Sequence, residues 1–345
     1  MSNLKYFKKA KYLPVDNFFQ NVLYDKSFGY YNSKQPLGKK GDFITAPQIS
    51  NLFSEMIALW IISTWELFGK PKKINIIELG PGDGSLSKVL IQVFKKFPEF
   101  DRAKKIFLYE KSYLLKKLQK KKLNNSNIKW VNNFSDIKKG PVIFFGNEFL
   151  DAIPIKQFKR DGKLLYEKNL IIKSKNKVEE IFKIASKEDI KIINSFKTLK
   201  KLKFIEFPKL GFIELKKILK KILNSNGCLL LIDYGYNNPN NRNTLQSVMN
   251  HKKNNLFNNL GKADVTAHVN FSLLEEFFHK NNLKVKKVIS QKEFLERMGI
   301  IQRAEMISRK MKFTEQSNMF FRLKRLLSPK LMGNLFKVIL SYNFV

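Results

Sequence analysis

The chain of 345 residues has a single cysteine, Cys228, and three histidines, His251, His268 and His279. One thiol excludes a disulfide framework and any multi-cysteine zinc or iron–sulfur centre, and it suits a reducing compartment. The histidines are not grouped at ligand spacing, so no metal site is expected. Acids are scarce: 29 Asp and Glu stand against 65 Lys and Arg, a formal charge of +36. No apolar run reaches the ~18–20 residues that span a bilayer. The first twelve residues are basic but lack the apolar stretch of a secretory signal.

What is present is core-forming material. Hydrophobic residues make up 43% and aromatics 13%, with 31 Phe, enough to exclude wholesale disorder. The length allows one large α/β domain with additions, or two domains. The charge fits nucleic acid or an anionic membrane surface, or a compositional bias toward Lys, Asn, Ile and Phe. The lysines are scattered in small clusters (Lys120–Lys122, Lys138–Lys139, Lys216–Lys217) and are not interleaved with aromatics in one segment. Bias is therefore the favoured reading.

Residues 15–24 have apolar positions at helical spacing and read as an amphipathic helix. The stretch 28–47 is rich in turn formers yet carries apolar anchors, which marks a functional loop. Residues 50–68 read as a buried helix capped by Ser50. From residue 72 the pattern alternates. Strands are expected at 74–79, 106–109, 128–131, 142–145, 228–232 and 285–290. Helices are expected at 85–96, 112–122, 212–223 and 272–280, the last capped by Ser272. Repeated β-α units with apolar strands imply a parallel sheet covered on both faces. Residues 155–158 and 164–172 flank Arg160-Asp161-Gly162 as a hairpin insertion, and 173–205 are charged and weakly patterned.

The sharpest local signal is Glu78-Leu79-Gly80-Pro81-Gly82-Asp83-Gly84-Ser85: a buried strand, a Gly-x-Gly-x-Gly turn and a helix start. Glycines let the chain turn tightly and let a ligand approach the main chain. The helix N-terminus then offers free N–H groups to a carboxylate or phosphate. Dinucleotide sites place the third glycine one residue later, where this chain has Ser85. The compact form, preceded by an acid, is usual for S-adenosylmethionine (SAM) methyltransferases. Glu110 follows the next strand and is the expected acid for the ribose hydroxyls.

In order along nearly the whole chain run FGYY (28–31), GDFITAP (41–47) with Ser50, ELGPGDG (78–84), NEFLDAIP (147–154), IDYG (232–235), TLQ (244–246), DVTAHVNF (264–271), FLERMGI (294–300) and MGNLFK (332–337). This set resembles the MidA family of SAM-dependent protein arginine methyltransferases, the group that includes mitochondrial complex I assembly factor 7. The resemblance implies a class I Rossmann-like α/β fold with a mostly parallel sheet and helices on both faces. It implies an N-terminal helical and loop extension over 1–70 and a methyltransferase core over 71–154 and 206–300. A recognition insertion over 155–205 and a C-terminal helical extension over 301–345 complete the expected plan. The cofactor is expected to be SAM, held by Glu78, Gly80, Pro81, Gly82, Gly84, Glu110, Asn132 and Asn147, with Asp42 and Thr45 as polar contacts from the N-terminal loop. The chain departs from the family at Asp83, where Arg is usual, and at Asn132 and Asn270, where Asp is common. It also reads SQKE at 290–293, where TQG usually precedes the late Phe.

A substrate arginine is a poor nucleophile because its guanidinium is held protonated, with pKa above about 12. Carboxylates grip it, localise its charge and accept a proton. Glu148 is the expected guanidinium clamp and Asp151 its support, three residues apart as if on one helical turn. His268 is tempting as a base but reads better as a structural residue, while Asp233 and Tyr234 sit where they would shape the pocket. By resemblance the client is the quinone-site subunit of complex I. No DNA or RNA substrate is expected: base methyltransferases carry a Pro-Pro motif where this chain has acids. The compartment is then a bacterial cytoplasm or a mitochondrial matrix. The rival readings are an RNA methyltransferase, a binding-only assembly factor and, more distantly, a dinucleotide oxidoreductase.

Overall fold

Apolar runs this short bury their surface only by pairing, and here they do so in one sheet. The computed structural model describes residues 7, 11–33, 45–124, 127–138, 140–173 and 177–344. Its main strands are β1 (Ile74–Leu79), β2 (Lys104–Tyr109), β3 (Ile128–Val131), β4 (Val142–Asn147), β5 (Gly227–Tyr236), β6 (Lys284–Ser290) and β7 (Phe336–Tyr342). The order is β3-β2-β1-β4-β5-β7-β6. The β1–β2, β2–β3, β1–β4 and β4–β5 pairs are parallel. Every residue of β1 is buried, as a central strand covered on both faces must be. The sheet matches the expected class I arrangement, with the carboxyl ends of β1 and β4 side by side.

Two elements differ from expectation. The last stretch, expected as helix, ends in β7, which lies antiparallel between β5 and β6. FKVILSY places β-branched residues against two strand edges, and that pairing outweighs helix continuation. Helices Ile300–Ser308, Phe313–Leu327 and Met332–Leu335 precede it. The weakly patterned 173–205 contains strand Val178–Ile184, helix Lys187–Ser195 and strand Phe204–Phe207. Their exposed, charged faces hide the periodicity.

The chain divides into two compact units. The first gathers Ile44–Phe149, Lys217–Gly235 and Leu283–Val345 around the sheet. Its core joins Ile76, Ile143, Leu230 and Val338 to Phe53, Trp60 and Trp65 of helix Asn51–Leu67. Ser50 does cap that helix: its Oγ accepts from Leu52 N at 3.3 Å.

The second unit gathers the described parts of Met1–Phe43 with Leu150–Lys216 and Tyr236–Asn282. Strands Lys156–Asp161 and Leu164–Ile172 form the expected hairpin, with Gly162 at φ 54 in the turn. Helix Val15–Tyr24 buries Phe18, Phe19, Val22 and Leu23 completely. Helix Phe271–Lys280 starts one residue early. Its cap is Asn270, whose Oδ1 accepts from Leu273 N at 3.1 Å, while Ser272 Oγ donates to the Asn237 carbonyl. Asn caps as well as Asp does, so this departure from the family keeps its job.

A half-buried ionic cluster around the buried Asp189 anchors this unit. Lys156 Nζ meets Glu167 at 2.5 Å and Asp189 at 3.2 Å, and Lys209 Nζ meets Asp189 at 2.8 Å. Burial alone would lower the Lys156 ammonium, but Glu167, Asp16 and Asp189 outweigh it and hold it above the usual lysine value. Lys156→Met strands Glu167 and leaves Asp189 with Lys209 alone. It is expected to destabilise the protein by about 3 kcal/mol, read by urea unfolding; a loss under about 1 kcal/mol would show the cluster to be energetically neutral.

Candidate active site

The glycine loop connects β1 to helix Ser85–Phe94, and all three glycines have left-handed backbone: Gly80 at φ 62, Gly82 at 56 and Gly84 at 80. Space is also closed. A Cβ on Gly80 would lie 3.1 Å from Phe149 Cδ2, and one on Gly84 would lie 3.3 Å from Leu123 Cδ1 and 3.6 Å from Gln119 Cγ. Phe149, just past β4, therefore seats directly on the loop backbone.

The helix N-terminus is not free as expected. Asp83 Oδ1 accepts from Ser85 N at 3.0 Å, and its Oδ2 accepts from Ser85 Oγ at 3.0 Å, Gln48 Nε2 at 3.1 Å and Lys122 Nζ at 2.6 Å. Burial would raise this carboxyl, but Lys122 and Ser85 outweigh it and hold it below its ordinary value. A phosphate placed at this N-terminus would meet a carboxylate. The site is therefore wrong for a pyrophosphate.

Glu78, the penultimate residue of β1, is buried, and Ser87 Oγ donates to its Oε2. Burial pushes its carboxyl up to about 8, with Asp83 and Glu110 adding repulsion against the Ser87 bond. A folded-state value above the unfolded one means that the native state holds a proton the unfolded state has lost. Stability is then greatest below about 4.5 and declines as pH rises toward about 8. Glu78→Gln is expected to remove that decline, gaining on the wild type at pH 8 but not at pH 4. Parallel urea curves for the two proteins at both pH values would refute this.

Glu110, past β2, is also buried and raised by burial. Its Oε1 accepts from Ser112 N at 2.8 Å and its Oε2 from Gln119 Nε2 at 3.2 Å. Gln119 is completely buried on helix Tyr113–Lys122. Its Nε2 also donates to the Gly82 carbonyl at 2.8 Å, and its Oε1 accepts from Trp130 Nε1 at 2.8 Å. One side chain thus ties the glycine loop to Glu110, the acid expected to meet the ribose. The expected site does not include Gln119; its signal in the sequence is a glutamine on the buried stripe with Leu115 in an otherwise lysine-rich helix.

Asn132 follows β3, exposed, and its Oδ1 accepts from Lys116 Nζ at 2.8 Å. Asn147 closes β4, and its Nδ2 donates to Glu148 Oε1 at 3.0 Å. Glu148 does not begin a helical turn. It sits at φ 53, its N–H donating to the Ile232 carbonyl at 2.9 Å. A left-handed, non-glycine residue costs about 1–2 kcal/mol, and this one stands at the carboxyl edge of the sheet, directly after β4.

Asp151 lies in the second unit. It is buried, and its carbonyl accepts from Ala267 N at 3.1 Å. In the same unit the buried Tyr31 hydroxyl is raised by burial and then by Asp264, Tyr24 and Asp151, so the structure gathers Asp264, a residue not singled out beforehand, with Asp151. Asp233 is buried with its Oδ1 accepting from Tyr234 N at 2.9 Å. His268 donates its backbone N–H to Thr244 Oγ1 at 3.0 Å, and burial followed by Arg242 lowers its ring. Thr45 occupies the N-cap position of Ala46–Ile49 without a side-chain cap bond. Asp42 lies outside the described residues. Among those described, no three His, Cys, Asp or Glu are grouped to hold a metal ion.

Two buried acceptors beside the loop have no partner among the described residues: Asn147 Oδ1 and Gln48 Oε1. The amino group of SAM is the kind of donor they lack. These residues fit that cofactor.

The comparisons agree. The family described as "Putative S-adenosyl-L-methionine-dependent methyltransferase" matches residues 56–289. The chain belongs to this family. Members of known name include the Caenorhabditis elegans "Protein arginine methyltransferase NDUFAF7 homolog, mitochondrial", 30% identical over 308 residues, covering 79% of this chain and 69% of the relative. The zebrafish (Danio rerio) protein arginine methyltransferase NDUFAF7 is 26% identical and covers 94% and 82%; the human one is 26% identical and covers 94% and 78%. In fold, a Burkholderia thailandensis protein solved with S-adenosyl-homocysteine bound superposes with a TM-score of 0.82 at 20% identity, covering 98% and 90%. This family is SAM-dependent, so the loop that excludes pyrophosphate belongs to a methyltransferase and the oxidoreductase reading falls.

Proposed function

We propose that this methyltransferase acts on an arginine side chain of a partner protein. The carrying observation is Glu148: a carboxylate held in left-handed backbone at the end of β4, fixed by Asn147, with Phe149 packed on the glycine loop. The relatives named as protein arginine methyltransferases support the same reading.

Gly80, Gly82, Gln48, Asn147 and Glu110 would hold SAM. When bound, SAM supplies an electrophilic methyl group on a sulfonium. Glu148 grips the guanidinium, draws its positive charge toward the carboxylate and leaves the far nitrogen richer in electrons. It then accepts the proton that nitrogen must shed after methylation. Positioning does the rest, since a fixed approach supplies much of the rate in displacement reactions. Asn147 fixes the Glu148 carboxylate, and Asp151 steadies the turn after it through its carbonyl bond to Ala267. The client we propose, on the family resemblance, is a subunit of respiratory complex I.

The test is methyl transfer from radiolabelled SAM into partly assembled complex I subunits. Label that is protease-sensitive, ribonuclease-resistant and recovered as methylarginine supports the proposal. Ribonuclease-sensitive label would favour the RNA reading. No label, from protein that binds SAM, would leave a binding-only factor.

A further inference from the structure

Sixteen large apolar side chains are exposed among the described residues, and seven of them lie within 301–335, a tenth of the chain: Ile301, Met306, Phe313, Phe320, Phe321, Leu331 and Leu335. The most open are Phe313 at 81%, Phe321 at 71% and Met306 at 61%. Single exposed apolar residues are ordinary; a concentration of this kind marks an interaction face.

Helix geometry shows the face. Helix Phe313–Leu327 buries Met319, Leu323 and Leu326 against its own unit. At about 100° per residue, Phe313, Phe320 and Lys324 fall within roughly 40° of one another on a different side, with Phe321 and Arg325 flanking them. Helices Ile300–Ser308 and Met332–Leu335 pack beside it and bring Met306 and Leu335 to the same segment.

The charge around these rings has one sign. Residues 301–335 hold eight Lys and Arg against two Glu. Arg303 is paired with Glu55. Arg309, Lys310, Arg322, Lys324, Arg325 and Lys330 make no ion pair among the described residues. Exposed phenylalanines set among unpaired cations are what an anionic bilayer surface binds: the rings enter the headgroup boundary and the cations meet lipid phosphates. A second copy of this face is a poor occupant, because an isologous contact would bring two such cationic patches together. No described helix is long and apolar enough to cross a membrane, so attachment is peripheral. We propose that the Phe313–Leu327 helix and its neighbours dock this enzyme on an anionic membrane surface.

A chain of charge +36 will show some attraction to any anionic vesicle, so the variants must separate this face from bulk charge. The full-length protein is sedimented with phosphatidylcholine vesicles, with and without phosphatidylglycerol. Phe313→Ser/Phe321→Ser leaves the net charge unchanged. Lys324→Glu/Arg325→Glu reverses two local charges. Lys286→Glu/Lys287→Glu makes the same change at exposed positions on β6. SAM binding by each variant confirms that it is folded.

The expected result is binding that requires phosphatidylglycerol, weakened about tenfold or more by each of the first two variants and by less than about threefold by the β6 control. The proposal is overturned if wild type does not sediment with the anionic vesicles, if the phenylalanine variant binds like wild type, or if the β6 variant loses as much as Lys324→Glu/Arg325→Glu. It is also overturned if light scattering shows a dimer that Phe313→Ser/Phe321→Ser converts to monomer.

Discussion

Glu148→Gln is expected to lower the rate of methyl transfer by about 10²–10⁴-fold, the range for a positioned acid–base group, with cofactor affinity nearly unchanged. The amide keeps the shape but loses the charge that grips a guanidinium and accepts its proton. The sharper companion is Glu148→Gly. At φ 53 the wild-type side chain imposes strain that glycine does not feel. The glycine variant should therefore be inactive yet as stable as wild type, or more stable by up to about 1 kcal/mol. Residues kept for the fold behave in the opposite way. Thermal unfolding beside a single-turnover assay decides the matter. An active glycine variant, or one destabilised by more than about 1 kcal/mol, would remove Glu148 from the chemistry.

Gln119→Leu is expected to cost more in binding than any surface change in the same helix. The substitution keeps the volume but leaves the Trp130 N–H, the Gly82 carbonyl and one oxygen of Glu110 without the partner they have now. Each such group costs about 1–3 kcal/mol when fully buried; Gly82 and Trp130 are only half-buried, so total stability should fall by roughly 3 kcal/mol, the low end of the sum. SAM affinity should fall by tenfold or more, because Glu110 loses the bond that orients it. A cycle with Glu110→Gln tests the coupling: the double variant should bind SAM little worse than either single one. Additive losses would mean that Gln119 only supports the fold. Calorimetric titration of S-adenosyl-homocysteine gives the affinities, and urea unfolding gives the stability.

The strands were legible because burial on both faces leaves an unbroken apolar run: INIIEL and VIFF could be little else. The glycine loop was legible because tight turns have few alternatives to glycine. β7 was not, since its partners come from elements far away in sequence and its alternation is short. Asp83 shows a further limit. Its side chain fills the helix N-terminus that the motif alone suggests is open to a ligand, and only the fold brings Lys122 to balance it. The Glu148–Asp151 spacing suggested a helical turn, but Glu148 takes up left-handed backbone instead. Gln119 is legible only as a glutamine on a buried stripe; its role lies in three partners from three other elements.

The antiparallel seam between β5 and β7 has a consequence for synthesis. Cys228 pairs with Tyr342, so β5 leaves the ribosome well before its neighbour exists. At roughly 5–20 residues per second the delay is on the order of 6–23 s. Throughout it the nascent chain carries an open edge reading GCLLLI, an apolar template for the wrong partner. A chaperone holding the nascent chain is what would keep that edge from pairing between chains.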